Sequence, residues 1–282
     1  MRLEVGGIGI SISGGAGEEM LRRMPGFAVF GSDEGRADMR VELDAAADAA
    51  NVEQLHNFDI VDGQMECRFG RLSDGRFVYQ FGDEGVLTCP AVGSELEEPY
   101  RITTVHTPGV LRFALWSALS MRGLAMMRLP VHSSVVVCEG RAVMCLGESG
   151  TGKSTHTGLW LHYIEGTHLL NDDSPFLCLE KDGWYVYGSP WSGKTPCFRQ
   201  ERWPVAALVR IVQRPENTIE RLGVLQAFGA LQPSCPPCLM KDEGLQDRLV
   251  GYVGKAIESL PVYRLGCRPD EEAARLSHDT IF

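Results

Sequence analysis

Over the first hundred residues, apolar and polar positions alternate with a period of two. The alternation recurs in six short runs: LEVGGIGISI, GFAVFG, DMRVEL, MECRFGRL, RFVYQFG and GVLTCP. Gly, Asp and Ser separate these runs, and the pattern is typical of strands that bury one face. We therefore predict a mostly antiparallel sheet here. The intervening segment DAAADAANVEQLHN is predicted to be a loop or a short helix.

From about residue 106 onward, the apolar residues either recur with the spacing of a helix or form short continuous runs typical of buried strands. Thr107 and Pro108 are predicted to open a helix, as cap and first helical residue, and Pro130 to end it. Two buried strands, HSSVVVC and AVMCLG, are predicted next, joined by a turn at 139–141. The further predicted elements are the helix STHTGLWLHYIE, the strands HLLN, GWYVYG and VAALVRIV, the helix DEGLQDRLVGYVGKAIESL, the strand PVYRLGC and the helix PDEEAARLSH. This order predicts an α/β fold with a β-rich N-terminal region over 1–105 and a second domain over 106–282.

Composition and charge argue against some classes of function. The chain has 282 residues and a formal net charge of −10, which argues against general binding to nucleic acid or to an anionic membrane. We expect no secretion signal, and the longest apolar stretch is interrupted by Arg112 and Arg122. Nine scattered cysteines suggest buried, reduced thiols in a cytoplasmic protein. The close pair Cys235 and Cys238 is predicted to lie in a structural loop, with a metal or redox role as the alternative.

The strongest chemical signal is the segment GESGTGKS, which fits the phosphate-binding pattern G-x-x-x-x-G-K-[ST]. Glycines let successive N–H groups turn toward phosphate oxygens, and the helix that follows adds its positive end. Lys153 is expected to reach the β- and γ-phosphates, and Ser154 to ligate Mg²⁺, a role that Thr155 can share. The predicted nucleotide-binding residues are Gly147, Glu148, Ser149, Gly150, Thr151, Gly152, Lys153, Ser154 and Thr155.

Two adjacent acids, Asp172 and Asp173, follow the short strand HLLN. Acids at a strand end can divide two tasks, in which one holds Mg²⁺ and the other takes a proton from an acceptor hydroxyl. The alternative is an acidic turn or helix cap before Ser174 and Pro175.

The order of His132, GESGTGKST, a helix and GTHLLNDD resembles the catalytic domain of HPr kinase/phosphorylase and the wider group of related serine kinases. The resemblance covers residues 130–175 well and 184–282 loosely, but it does not cover the N-terminal region. It implies a P-loop kinase core shared with phosphoenolpyruvate carboxykinase, with ATP and Mg²⁺ as cofactors. It also implies that Asp172 is the general base and Asp173 the metal-linked acid, although the two can exchange roles. Finally, it implies that His132 lies near the transferred phosphoryl group, whereas the residues alone also allow a hydrogen-bonded core histidine.

The chain departs from the HPr enzymes at several positions. Thr155 stands where those enzymes have Glu, and the segment E-I-R-G-L-G has no counterpart, so HPr itself is in doubt as the substrate. The segment 188–194, GSPWSGK, is a candidate substrate or phosphate loop or else an ordinary turn. Arg199 is a candidate contact for the transferred phosphate or a surface pairing residue.

These observations favour an ATP- and Mg²⁺-dependent kinase that acts on a hydroxyl, expected to be a serine, of a protein, peptide or small molecule. The alternative is a nucleotide-binding regulatory module without catalysis. A carboxykinase-like lyase is disfavoured because the chain lacks room for a large substrate lobe. Relatives in the resembled group are often oligomeric, so a homo-oligomer is compatible with the sequence, although it contains no heptad signature.

Overall fold

The computed structural model describes residues 1–33, 35–47, 52–59, 66–193 and 195–282. The chain divides into two compact units. The first comprises Met1–Met126 and Pro236–Leu249, and the second comprises Met127–Cys235 and Val250–Phe282. Within the described ranges, every helix is too short or too polar to cross a bilayer.

The first unit contains an eight-stranded sheet. Its strands are β1 (Arg2–Val5), β2 (Ile8–Ser13), β3 (Met39–Glu42), β4 (Val52–Asp59), β5 (Glu66–Leu72), β6 (Phe77–Phe81), β7 (Gly85–Cys89) and β8 (Tyr100–Ile102). The strand order is β1-β2-β3-β8-β7-β6-β5-β4. Only the pairs β2/β3 and β3/β8 are parallel among the described strands of this sheet, so the prediction of a mostly antiparallel sheet is confirmed.

Two local predictions in this unit are wrong. The run GFAVFG is not a strand but lies largely in helix α2 (Pro25–Val29), which follows α1 (Gly15–Arg22). Pro25 takes the first helical position, where its fixed φ and missing N–H suit a helix. The segment at 52–57 is not a loop or helix, because it forms β4 and pairs antiparallel with β5. The part of that prediction at 48–51 lies outside the described residues.

Helix α3 (Pro108–Ala125) begins at the predicted proline, but two details differ. The Thr107 hydroxyl does not cap the helix and instead hydrogen bonds to the Glu84 carboxylate. The helix ends before Pro130, which belongs to a strand. The structure groups α3 with the first unit, whereas the sequence boundary at 105/106 separates them. The reason is packing, since Phe113 on α3 meets Phe81 of β6 edge to face at 5.6 Å.

The second unit contains a nine-stranded sheet. Its strands are β9 (Arg128–Pro130), β10 (Ser133–Cys138), β11 (Arg141–Leu146), β12 (His168–Asn171), β13 (Phe176–Glu180), β14 (Gly183–Tyr187), β15 (Arg202–Gln213), β16 (Thr218–Arg221) and β17 (Val262–Cys267). The main path runs β12-β10-β11-β15-β14-β13-β9, while β17 pairs with β15 and β16. The long strand β15 organises this sheet, because it pairs antiparallel with β14 and parallel with both β11 and β17.

Four helices complete the set: α4 (Lys153–Tyr163), α5 (Val224–Leu231), α6 (Glu243–Ser259) and α7 (Glu271–Ile281). Short 3₁₀ helices lie at Gln232–Ser234 and Pro237–Met240, and the division between the two units falls within α6. The two sheets and seven α-helices of the described residues confirm a mixed α/β class. The turn between β10 and β11 is also confirmed, with Glu139 and Gly140 at φ 50° and 72°.

The cysteines are free, and all except Cys197 are buried. Burial raises the pKa of Cys235 to about 12 and that of Cys238 to about 11. A thiol with so high a pKa is a poor nucleophile at neutral pH, which supports the structural interpretation of this pair.

Candidate functional site

The glycine-rich loop connects β11 to α4 in the second unit. Gly147, Gly150 and Gly152 have φ values of 152°, 81° and 100°, which side chains rarely tolerate. A Cβ atom on Gly147 would lie 2.4 Å from the Thr151 hydroxyl oxygen. That hydroxyl donates to the Glu148 carbonyl at 2.9 Å and so closes the turn. The backbone conformation of the loop therefore requires glycine at these three positions.

Lys153, the first residue of α4, points back into this loop. Its Nζ atom donates to the carbonyl oxygens of Gly147 at 2.8 Å and Glu148 at 3.0 Å. It also lies 2.9 Å from Nε2 of His132. Burial lowers the pKa of Lys153. The Lys153 ammonium group is thus enclosed by the glycine-rich loop that contains it.

His132 lies between this lysine and one of the two acids. Its backbone N–H donates to the Ser234 carbonyl at 2.7 Å, which fixes the entry to β10. Since an ammonium group can only donate, Nε2 accepts from Lys153 and the ring proton is assigned to Nδ1. Nδ1 lies 3.5 Å from Oδ1 of Asp173. The structure therefore brings together three of the predicted site residues, His132, Lys153 and Asp173.

Asp172 occupies a more enclosed place than its neighbour. The residue is only 7% exposed, and its Oδ1 atom accepts a hydrogen bond from the Ser134 hydroxyl at 2.6 Å. Ser134 is in turn hydrogen bonded to Thr157 of α4 at 2.8 Å. The second oxygen, Oδ2, is buried without a hydrogen-bond partner in the part of the chain that the structure describes. A buried carboxylate oxygen without a hydrogen-bond partner destabilises the fold unless a cation or a proton neutralises it.

Asn171, which is not among the predicted site residues, orients the acid pair. Its side-chain oxygen accepts from the backbone N–H groups of Asp173 at 3.0 Å and Ser174 at 3.1 Å. Its side-chain nitrogen donates to the carbonyls of Ser189 at 3.3 Å and Trp191 at 3.0 Å. An Asn directly before two acids at a strand end is a recognisable signal for such a turn.

The candidate substrate loop at 188–193 therefore lies against the acids. A Cβ atom on Gly193 would stand 2.7 Å from the backbone oxygen of Asp172, so only glycine fits this approach. Lys194, the cation of that prediction, lies outside the described residues. Arg199 forms an ion pair with Glu201 at 3.3 Å, as expected if it is a surface pairing residue and not a phosphate contact.

Arg210, which is not among the predicted site residues, is a second cation beside the loop. It lies on β15 opposite Leu146, the last residue before the loop, and its Nη2 donates to Glu148 at 3.0 Å. The charge of Arg210 contributes to the lowered pKa of Lys153, after the larger effect of burial. Its place depends on the parallel pairing of two strands more than sixty positions apart, for which the sequence contains no local signal.

Ser154 and Thr155 are exposed at the start of α4. A cavity of about 500 Å³ adjoins Thr155, a volume typical of small-molecule sites. Its walls include Thr155, Leu159, Ile211, Arg214, Pro215 and Pro269. The cavity thus combines apolar surface with an arginine, directly beside the glycine-rich loop.

Comparisons with protein-family models and with curated proteins found no match for this chain.

Proposed function

We propose that this chain is an ATP- and Mg²⁺-dependent kinase that transfers the γ-phosphoryl group to a hydroxyl, expected to be a serine, of a protein, peptide or small molecule. The observation that carries the proposal is the contact chain from Lys153 through His132 to Asp173, at 2.9 and 3.5 Å. It joins the lysine of a phosphate-binding motif to a carboxylate able to accept a proton. The P-loop kinase core of the HPr kinase type, with a β-rich N-terminal region, is part of the same proposal.

The nucleotide is proposed to bind with its phosphates on the loop and its nucleoside in the adjacent cavity. The loop N–H groups and the N-terminal end of α4 attract anionic oxygens. Lys153 exchanges its bonds to the Gly147 and Glu148 carbonyls for phosphate oxygens. Apolar walls at Leu159, Ile211 and Pro215 suit the flat face of a base.

The residues fit a bound magnesium ion. The buried Oδ2 atom of Asp172 lacks a partner among the described residues, and a hard cation is the group that would satisfy it. Ser154, exposed at the start of α4, would supply a hydroxyl. When bound, magnesium supplies charge neutralisation for the phosphate oxygens. This assignment exchanges the two roles that the family resemblance implied, in which Asp172 is the base and Asp173 is metal-linked.

Burial is the reason for the exchange. The Asp173 side chain is 33% exposed and faces His132, so an acceptor can reach it, whereas Asp172 is 7% exposed. We assign Asp173 as the general base. It takes the hydroxyl proton as the acceptor oxygen bonds to the γ-phosphorus and the bond from that phosphorus to the β–γ bridging oxygen breaks. ADP and a phosphate ester are the products, and Lys153 and Arg210 offset the charge that develops.

One observation favours a second candidate, a nucleotide-responsive module without transfer. Lys153 already has three partners, so a triphosphate would have to rearrange the loop, and such a rearrangement can serve as a signal. The two functions are separated by incubating the chain with γ-labelled ATP, Mg²⁺ and a panel of serine-containing proteins, peptides and free hydroxy compounds.

A kinase gives an acid-stable labelled phosphate ester with at least one acceptor, and a Lys153→Ala variant loses it. If ATP binds tightly but no acceptor of any class is labelled, the regulatory module is favoured. If ATP does not bind, both candidates are wrong.

A further inference from the structure

A second cluster of potential ligands lies at the opposite end of the β10–β11 hairpin from the glycine-rich loop. Cys138 is the last residue of β10, Glu139 lies in the turn that follows, and His278 lies in the last turn of α7. One ligand atom from each of these residues lies within 4.8 Å of the other two. The cluster therefore joins a turn and a helix that are far apart in sequence.

The ring of His278 is oriented for ligation. Nδ1 lies 2.8 Å from Oδ1 of Asp279, so a proton on Nδ1 leaves the lone pair of Nε2 free. Nε2 faces Oε1 of Glu139 at 3.7 Å, a separation close to that of two ligands on one tetrahedral ion. A histidine that binds a metal through one ring nitrogen usually donates a hydrogen bond from the other nitrogen to a carboxylate, as Nδ1 does here to Asp279.

Aromatic packing restricts this ring further. Trp160 meets His278 edge to face at 5.6 Å, and Phe282 stacks on it at 5.4 Å. Arg141, the cation nearest in the hairpin, lies over the Phe282 ring at 4.7 Å. The imidazole is thus fixed in direction before any ion arrives.

We propose that Cys138, Glu139 and His278 bind a zinc-type divalent cation. Thiolate and imidazole select Zn²⁺ over Mg²⁺ or Ca²⁺, which prefer oxygen ligands. Three protein ligands leave a fourth position for water, on the exposed side where Glu139 lies.

The site is independent of the proposed phosphoryl transfer and has a structural consequence. Ser277, next to His278, accepts a hydrogen bond from Trp160 of α4 at 2.9 Å. An ion at this cluster ties the hairpin turn to α7, and α7 supports the helix that follows the glycine-rich loop. We expect zinc to raise the melting temperature of the intact chain without being required for nucleotide binding.

Cobalt substitution tests the proposal directly. The metal-free chain is titrated with Co²⁺, and near-ultraviolet absorption is recorded for sulfur-to-cobalt charge transfer. We expect one equivalent to give this absorption and Zn²⁺ to abolish it by displacement. Cys138→Ala should lose the absorption, whereas Cys178→Ala, a control at another buried cysteine, should retain it.

Two milder variants guard against misfolding. Glu139→Asn keeps a residue type that tolerates φ 50°, and Asp279→Asn changes only the supporting carboxylate. We expect each to retain the charge-transfer band while weakening cobalt binding roughly tenfold or more. The exposed His162→Gln control should bind as the parent does. Absence of the band in the parent chain, or an unchanged band in Cys138→Ala, would overturn the proposal.

Discussion

The Nζ atom of Lys153 lies 2.9 Å from Nε2 of His132, while the same ammonium group donates to two carbonyls of its own loop. The loop is therefore closed around the ammonium charge of Lys153. A nucleotide bound as we propose would replace these neutral acceptors with charged phosphate oxygens, which would strengthen the hydrogen bonds of the lysine.

Removal of that charge should weaken nucleotide binding. Lys153→Ala deletes a charge-assisted contact of about 1.5–3 kcal/mol, so the Kd for Mg·ATP should rise roughly ten- to hundredfold. Equilibrium titration with a fluorescent ATP analogue measures this change. The exposed Lys181→Ala should bind as the parent does, and equal affinity of the two variants would contradict the assignment of the loop.

Glu148 should oppose nucleotide binding, although it lies within the motif. Its side chain is 78% exposed and pairs with Arg210, so Glu148→Gln removes a negative charge and frees a cation beside the phosphates. We expect roughly two- to fivefold tighter binding at low salt and a smaller gain at high salt. Arg210→Gln should weaken binding by a similar factor, and the exposed Glu165→Gln serves as the control. Looser binding in Glu148→Gln would show that the carboxylate contributes in another way.

Substitution of Asp172 and of Asp173 should change the transfer activity in different ways. Asp173→Asn should reduce transfer at least a hundredfold at every magnesium concentration, because an amide cannot act as the base. Asp172→Asn should shift the magnesium dependence to higher concentration and recover part of the activity at saturation. Initial rates over a magnesium titration separate these patterns. The reverse pattern would restore Asp172 as the base and Asp173 as the metal-linked acid.

His156 should make stability depend on pH. Burial lowers its pKa from 6.5 to about 4, and its Nε2 accepts from Trp160 at 3.1 Å. The folded state therefore favours neutral imidazole, so stability is fully present above pH 6.5 and is lost as the pH falls toward 4. Between pH 7 and pH 5 this one group should lower the free energy of unfolding by about 2 kcal/mol.

Urea unfolding at the two pH values checks this expectation. His156→Gln should be less stable at pH 7 but should lose less stability on acidification than the parent. The exposed His162→Gln should keep the parent's full pH dependence. An unchanged slope in His156→Gln would show that this imidazole does not titrate as its burial requires.

Local sequence signals were enough to predict the elements around the loop. The β10–β11 hairpin, its turn, α4 and β12 were all predicted, because their apolar patterning and glycine positions act over a few residues. Helix α2 differs from the strand predicted for GFAVFG because this short run is apolar and aromatic, and only Pro25 indicates a helix start. Strands β8, β9, β13 and β16 and helices α1 and α5 have no counterpart among the predicted elements.

Contacts between distant segments could not be predicted in the same way. Arg210 reaches the loop because β15 pairs parallel with β11, and the proximity of His278 to the hairpin turn depends on where α7 packs. Neither relationship has a signature within a short window of sequence. The burial difference between Asp172 and Asp173 likewise arises from Ser134 and the 188–193 loop, so sequence left their roles interchangeable.

The most direct measurement is a crystal structure of the chain with a non-hydrolysable ATP analogue and Mg²⁺. We predict that the triphosphate lies on residues 147–154, with Nζ of Lys153 on phosphate oxygens instead of the Gly147 and Glu148 carbonyls. We also predict that Oδ2 of Asp172 faces the metal shell and that the Asp173 carboxylate faces the γ-phosphate. A nucleotide bound elsewhere, with Lys153 still hydrogen bonded to its loop, would contradict the account.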